Sequence, residues 1–346
     1  MDFIKKLITF AWLKDWRTAI IVIFTKFTQG AWIVTIAIPI IVAGFMAVRN
    51  HYRATAARLR VGADKLARGR DESGPVFLFV EDTDEATRLA LAYGRAICKG
   101  ELEAVHVPDG ERPGSLTRDW GTFSGGAPLR ELHFGEDPVE SLIDYLRFRR
   151  SGRHRWRTVL IPEGFSRRSL IRAALQRRRT FSLKMRLLRE PEVVITDVPV
   201  VAGDNGDGKA PTRRDVEVIV PVSTVNDPTM RALDYAMSLR AGSVRAIHVA
   251  LGEADPAGIE AEWEATGAAI PLEVIQSPFR DLGAPLLEVV RGITARPGAI
   301  CNVVMPEAVL SKRRHRLLHN GRSFYLKRLL LFEPRTILTS VPYQLD

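Results

Sequence analysis

From position 72 onward this chain is written twice. Ala90-Leu91 and Tyr93 return as Ala232-Leu233 and Tyr235, Ala104-Val105-His106-Val107 returns as Ala246-Ile247-His248-Val249, and Trp120 with Pro128-Leu129 returns as Trp263 with Pro271-Leu272. Further on, Pro162-Glu163 pairs with Pro306-Glu307, Leu183-Lys184 with Leu326-Lys327, Glu190-Pro191 with Glu333-Pro334, and Val198-Pro199 with Val341-Pro342. The order never changes and the offset drifts only between 142 and 144 residues, which is the mark of a tandem duplication. Such a chain must find the same fold twice. Within each copy, short β-branched runs alternate with helical patterns. The runs are Val76–Glu81, Leu102–Val107, Leu129–Phe134, Thr158–Ile161 and Val193–Thr196, then Val216–Val222, Val244–Val249, Leu272–Ile275, Asn302–Met305 and Thr336–Thr339. Five runs with helices between them predict an α/β fold with a doubly wound parallel sheet in each copy.

The copies are expected at residues 72–201 and 215–346, joined by a linker at 202–214, AGDNGDGKAPTRR, whose glycines and aspartates break regular structure. Two like modules on one chain can pack along matching surfaces as a pseudo-dimer.

Residues 1–48 have another character. Phe27–Val48, FTQGAWIVTIAIPIIVAGFMAV, holds no charge between Lys26 and Arg49. At 1.5 Å rise per residue, about 20 apolar residues cross a hydrocarbon core, so this stretch predicts one membrane span. Trp32 sits where an interfacial anchor belongs, and Pro39 would kink the helix mid-span, which membrane helices tolerate. A signal peptide would end in a small-residue cleavage site, whereas this stretch runs into basic residues. Ahead of it, Ile4, Leu7, Ile8 and Ala11 share one face of a short interfacial helix, and Thr18–Thr25 is too short to cross a bilayer. Behind it, residues 49–71 are expected as a basic juxtamembrane helix: Arg49, Arg53, Arg58, Arg60, Lys65, Arg68 and Arg70 face few acids and suit anionic headgroups on the cytoplasmic side.

The chain's 346 residues carry a formal net charge of +10, compatible with nucleic acid, a lipid surface or a small anion as partner. The two cysteines, Cys98 and Cys301, match no metal spacing and fit a reducing compartment.

With the span and the duplication in view, a family resemblance can be read. Phe24–Tyr52, FTKFTQGAWIVTIAIPIIVAGFMAVRNHY, resembles the last membrane helix of bacterial transporters of the amino acid–polyamine–organocation (APC) superfamily, above all Kup-type potassium importers with cytoplasmic tails. Arg316–Leu345, RLLHNGRSFYLKRLLLFEPRTILTSVPYQL, is similar to the end of those tails, whose domains resemble the universal stress protein fold. The family's ion pathway is built from helices ahead of this span. The resemblance therefore implies a carboxy-terminal portion that does not transport alone. Tails of this family can bind cyclic di-adenosine monophosphate (cyclic di-AMP), which makes that nucleotide a candidate ligand by resemblance.

Ligands of doubly wound sheets favour the carboxyl ends of strands at the switch point. Here that edge carries Glu81, Asp82 and Thr83 in one copy and Ser223, Thr224 and Asn226 in the other, with Pro162-Glu163 and Pro306-Glu307 on the fourth strands. Stress proteins that bind ATP carry a glycine-rich loop after the fourth strand; GFSRRSLIRAAL and AVLSKRRHRLLHN have no such pattern, so ATP in the usual mode is not expected. Arg167, Arg168 and Arg172, and Lys312, Arg313 and Arg314, follow the same edge and could grip the phosphates of an anionic nucleotide. The plainer reading of these cations is a solvated face or contact with membrane or transporter. Basic runs without aromatic interleaving do not predict nucleic-acid binding. Gly203-x4-Gly208-Lys209 fails as a phosphate loop at Ala210-Pro211. His106 and His248 close the second strand of each copy and read as strand-end packing. No catalytic constellation, metal or cofactor is expected.

The sequence thus predicts a plasma-membrane protein: one transmembrane helix, then two tandem stress-protein-like α/β domains on the cytoplasmic side, regulating or forming part of a cation (potassium) or amino acid transporter. The rival is a membrane-tethered cyclic-dinucleotide sensor independent of transport. Expected partners are the lipid bilayer, a transporter membrane domain, cyclic di-AMP and a second copy of the chain.

Overall fold

The computed structural model describes residues 36–46, 49, 74–98, 101–108, 115–132, 137–149, 155–165, 180–201, 210–252, 256–278, 281–310 and 321–345. They fall in two compact units, Met1–Arg60 and Val61–Asp346.

In the first unit, residues 36–46 form a helix that continues through Pro39. Its apolar side chains face outward: Ile40 is 65% exposed and Phe45 70%. No helix among the described residues is long and apolar enough to cross a membrane. The rest of the expected span, the amino-terminal helix and the basic helix lie outside the described residues.

The second unit is built on one ten-stranded sheet. Its strands are β1 (Val76–Phe79), β2 (Leu102–His106), β3 (Leu129–Glu131), β4 (Arg157–Phe165), β5 (Val193–Val201), β6 (Val216–Pro221), β7 (Ser243–Leu251), β8 (Leu272–Ser277), β9 (Ile300–Leu310) and β10 (Thr336–Leu345). They run in the order β3-β2-β1-β4-β5-β10-β9-β6-β7-β8. Each half is parallel and wound outward from its first strand, β1 or β6; the halves meet where β5 and β10 pair antiparallel. Thr196 lies opposite Thr339 in that register, flanked by Ile195 opposite Ser340 and Asp197 opposite Leu338. Thr196 and Thr339 are 143 positions apart, so a pseudo-twofold axis passes between residues at equivalent places in the two halves.

The helices follow from caps and apolar spacing. α1 (Glu85–Ile97) starts where the Asp84 carboxylate accepts the Thr87 N–H, and its counterpart α5 (Asp227–Ser238) starts under Asn226 in the same way. α2 (Ser115–Ser124), α3 (Pro138–Phe148) and α4 (residues 180–187) complete the first half; α6 (Ala257–Glu264), α7 (Gly283–Thr294) and α8 (Gly321–Leu330) complete the second. α1 lies close on the sheet because Gly94 has no Cβ; one built there would stand 2.9 Å from Leu160 Cδ1.

The two faces are buried differently. Under α1 and α5 a single core runs through both halves, from Val76 and Leu160 to Val218 and Val304. On the opposite face each half keeps its own core, Leu142, Leu146 and Leu187 in one and Leu286, Val290 and Leu330 in the other.

Several boundaries differ from the sequence reading. β4, β5, β9 and β10 run well past the expected ends, through Pro162, Pro199, Pro306 and Pro342. A proline cannot donate to a ladder, so it needs a strand that is an edge at that point. β1 leaves β4 at Leu160, and β5 leaves β10 at Ser340, so Pro162 and Pro342 each have a neighbour on one side only. Arg213 and Arg214, read as the end of the linker, belong with Asp215 to a 3-10 turn capped by Thr212.

Candidate functional site

In each half the switch point lies between the first and fourth strands, where the order reverses. The loops after β1 and β6 are held alike. The Thr87 hydroxyl donates to Asp82 O at 2.7 Å, and the Thr229 hydroxyl donates to Thr224 O at 2.9 Å. Ser223 and Thr224 stand exposed on the second loop, and the Thr224 hydroxyl accepts from Asn226 Nδ2 at 2.9 Å. The two edges differ in charge. In the first half Asp82, Asp84 and Glu81 line the loop, and Asp84 Oδ2 lies 3.2 Å from where a Cβ on Gly164 would stand. That edge repels an anion; the neutral Ser223–Thr224 edge does not.

β4 and β9 stay paired in the sheet to Phe165 and Leu310, and a carboxylate on each is taken by a lysine. Lys184 bonds Glu163 and stands 2.8 Å from Asp197; Lys327 bonds Glu307. Burial works against the Lys184 ammonium, but Asp197 and Glu163 outweigh it and hold its pKa above the ordinary lysine value.

Of the candidate ligands read from the sequence, only Ser223 and Thr224 lie among the described residues. Arg167, Arg168, Arg172, Lys312, Arg313 and Arg314 lie outside them, as does the glycine-lysine stretch 203–209. His106 and His248 are local ties: each ring Nδ1–H donates to the carbonyl just past the first strand of its half, Val80 O or Val222 O, both at 2.8 Å. Among the described residues no group of histidines, cysteines and carboxylates is placed to hold a metal.

The densest polar arrangement lies on the pseudo-twofold axis. Thr339 donates to Asn302 Oδ1 at 2.9 Å, so its contact with Thr196, also 2.9 Å, requires Thr196 to be the donor. Asn302 Nδ2 donates to the Tyr93 hydroxyl at 2.7 Å. Across the axis the Tyr235 hydroxyl meets the Thr158 hydroxyl at 3.0 Å. Each half's first helix thus sends a tyrosine onto the other half's fourth strand. Burial pushes the Tyr235 phenol up to about 12, and burial followed by Tyr235 itself raises Tyr93 well above the usual tyrosine value. Beside this row Trp156, 1% exposed, stacks edge-on against Tyr235 at 5.6 Å and lies 4.8 Å from both the Arg155 and Arg231 guanidiniums.

A groove of about 710 Å³ opens where the halves meet, lined by Arg95, Arg213, Arg214 and Arg240. The sequence reading missed it: Arg213 and Arg214 fell in the supposed linker, and no motif joins them to Arg95 and Arg240.

A ten-stranded α/β platform made of two like halves, each with a lysine–carboxylate pair on its fourth strand, is a paired α/β module. The sequence model of the family described as KimA potassium transporter C-terminal domain matches residues 71–200 and again 213–343, and the chain belongs to that family. The potassium transporter KimA of Bacillus subtilis (strain 168) is 30% identical over 129 residues, which make up 36% of this chain and 21% of that protein. The match spans about a fifth of that relative's length. A universal stress protein from Archaeoglobus fulgidus DSM 4304, known from its crystal structure, superposes with a TM-score of 0.45 and 12% identity, over 77% of this chain and 98% of its own.

Proposed function

We propose that this chain is the cytoplasmic regulatory part of a Kup-type, APC-superfamily potassium transporter, held at the plasma membrane by the helix around residues 36–46. The observation that carries this reading is the double match to the KimA C-terminal family, once in each half of the sheet. The outward-facing isoleucines of the apolar helix support the tether, since lipid is the solvent that suits them. The basic residues after position 48 support placing the platform on the cytoplasmic side. In this reading the chain catalyses nothing and does not transport alone.

A potassium-uptake-deficient host tests it. The chain alone should not restore growth at low potassium, whereas co-expression with a Kup-type membrane domain should change the uptake rate. Unchanged uptake across such pairings would sink the regulatory reading. Recovery of the chain in the aqueous fraction without detergent would sink the tether. The sequence resemblance also nominates cyclic di-AMP as the regulating ligand, with the neutral Ser223–Thr224 edge as the more receptive of the two switch points. Calorimetry of the full chain in detergent should register that nucleotide at micromolar concentration; absence of heat removes it as the ligand.

A further inference from the structure

We infer that the groove at the seam of the two halves is a binding site for a phosphate-bearing anion. Three separate segments build it: Ala92, Arg95 and Ala96 on α1, Ala210–Arg214 before β6, and Arg240 just after α5. It therefore exists only when both halves are joined, and Arg240 N–H donates across the seam to Ile97 O at 3.2 Å.

The chemistry of the walls selects an anion. All four arginines are exposed, and none is in a salt bridge among the described residues, whereas Arg130, Arg147, Arg245, Arg291 and Arg296 each have a carboxylate partner. Asp215, the neighbouring carboxylate, accepts the Thr212 N–H at 2.8 Å and the Thr212 hydroxyl at 2.6 Å. Two of the arginines are positioned rather than loose. Arg95 donates through Nη2 to Ser124 O and Gly125 O, and Arg213 donates through Nε to Ala241 O at 3.2 Å, leaving the remaining guanidinium N–H groups of both for a ligand. The backbone of Arg214 is set by Gly242, where a Cβ would stand 2.7 Å from Arg214 O. Four guanidiniums lining one groove suit phosphate oxygens. Either a soluble phosphate compound or an anionic lipid headgroup has this chemistry. The inference does not depend on the transporter reading.

The test uses the full chain in detergent and, separately, in vesicles. Pyrophosphate is the soluble probe, titrated at low ionic strength, where exposed charges are least screened. The wild-type chain should bind it saturably. Arg214→Gln combined with Arg240→Gln should weaken binding at least tenfold with an unchanged thermal midpoint, since both side chains are exposed. Arg118→Gln combined with Arg189→Gln removes the same charge from exposed sites elsewhere and should leave binding as it was. Binding to phosphatidylglycerol vesicles but not to pyrophosphate, lost in the Arg214/Arg240 pair and kept in the control pair, would support the site with a lipid headgroup as ligand. The proposal is overturned if neither probe binds saturably, or if both double variants weaken binding equally.

Discussion

The two halves of the sheet keep the same bonds where each must close on itself and differ where each faces the other. Both hold a histidine against the end of the first strand. Both send a tryptophan indole N–H to a carbonyl seven residues on, Trp120 to Ala127 O and Trp263 to Ile270 O. Both tie a long helix to the turn before the last strand, through Arg147–Glu190 and Arg291–Glu333. Around the pseudo-axis the match ends. Thr158 in one half answers to Asn302 in the other, Trp156 to Ile300, and Arg231 to Leu89. In a true homodimer, residues on a twofold axis must suit their own copies, because every contact occurs twice. Once the two modules share one chain that condition lapses, and the axis can carry a cation–aromatic cluster on one side and aliphatic packing on the other.

The largest effect should come from breaking that asymmetry. Trp156→Ala removes a side chain 1% exposed and strips the packing from Tyr235 and two guanidiniums; large-to-small core changes of this kind cost about 3–5 kcal/mol. Ile300→Ala at the equivalent place removes a smaller volume and should cost about 2–3 kcal/mol. Denaturant melts of the two variants side by side would measure the gap. Equal losses would mean the cluster contributes no more than its aliphatic counterpart.

Next in size is the polar row. Asn302→Ala strands the buried Tyr93 hydroxyl and takes one of two partners from Thr339, which keeps Thr196, at about 2–3 kcal/mol. Thr158→Ala takes a partner from one hydroxyl, Tyr235, where Asn302→Ala takes partners from two, and should cost about 1 kcal/mol. A reversed ranking would show that the row is held from the Thr158 side.

How much of this was legible in the sequence follows from what carried each signal. Parallel strands buried on both faces write continuous apolar runs such as Val76–Phe79 and Val218–Pro221, so they could be read directly. Strand ends could not, because Pro162 and Pro342 look like terminators until one knows that the neighbouring strand has already left. The strand-end histidines were read correctly, since a local hydrogen bond recurs with the repeat. The axis was not read: nothing marks Thr196 and Thr339 as partners except an offset shared by every duplicated residue. The arginine groove was hidden for the same reason, being assembled from segments that only the tertiary fold brings together. The cations proposed for nucleotide phosphates lie outside the described residues, and their role stays with the resemblance that suggested it.

A third effect is the response to alkali. Burial holds Tyr235 up to about 12, and burial followed by Tyr235 raises Tyr93 well above its ordinary value, while an unfolded tyrosine ionises near 10. The folded state therefore keeps protons that the unfolded state has released. Stability is complete below about pH 10 and falls above it, by about 1.4 kcal/mol per pH unit for each phenol. Tyr235→Phe should remove its share of that slope while Tyr93 retains its own. A flat stability profile between pH 10 and 12 would place both phenols in contact with water.

The smallest effect tests whether the outer edges of the halves are interchangeable. The first half joins β2 to β3 with Glu103 and Arg130; at the same places the second half has Arg245 and Glu273, the same pair with its signs exchanged. The surroundings are not exchanged. Glu103 is 8% exposed and accepts the Tyr145 hydroxyl on both oxygens at 2.8 Å, with Arg149 3.4 Å away, so its carboxylate belongs to a cluster. Arg245 and Glu273 are a more exposed bidentate pair at 2.6–3.0 Å. Exchanging the second pair, Arg245→Glu with Glu273→Arg, should change stability by less than about 1 kcal/mol, as exposed ion pairs do. Exchanging the first, Glu103→Arg with Arg130→Glu, sets a buried guanidinium against Arg149 and takes the acceptor from Tyr145, and should cost about 2–4 kcal/mol. If both exchanges were tolerated alike, the charge on β2 would be a matter of edge pairing alone. If only the second is tolerated, Glu103 is fixed by α3, which carries the tyrosine that bonds it, and the sign reversal in the second half was open only because no such tyrosine stands over Arg245.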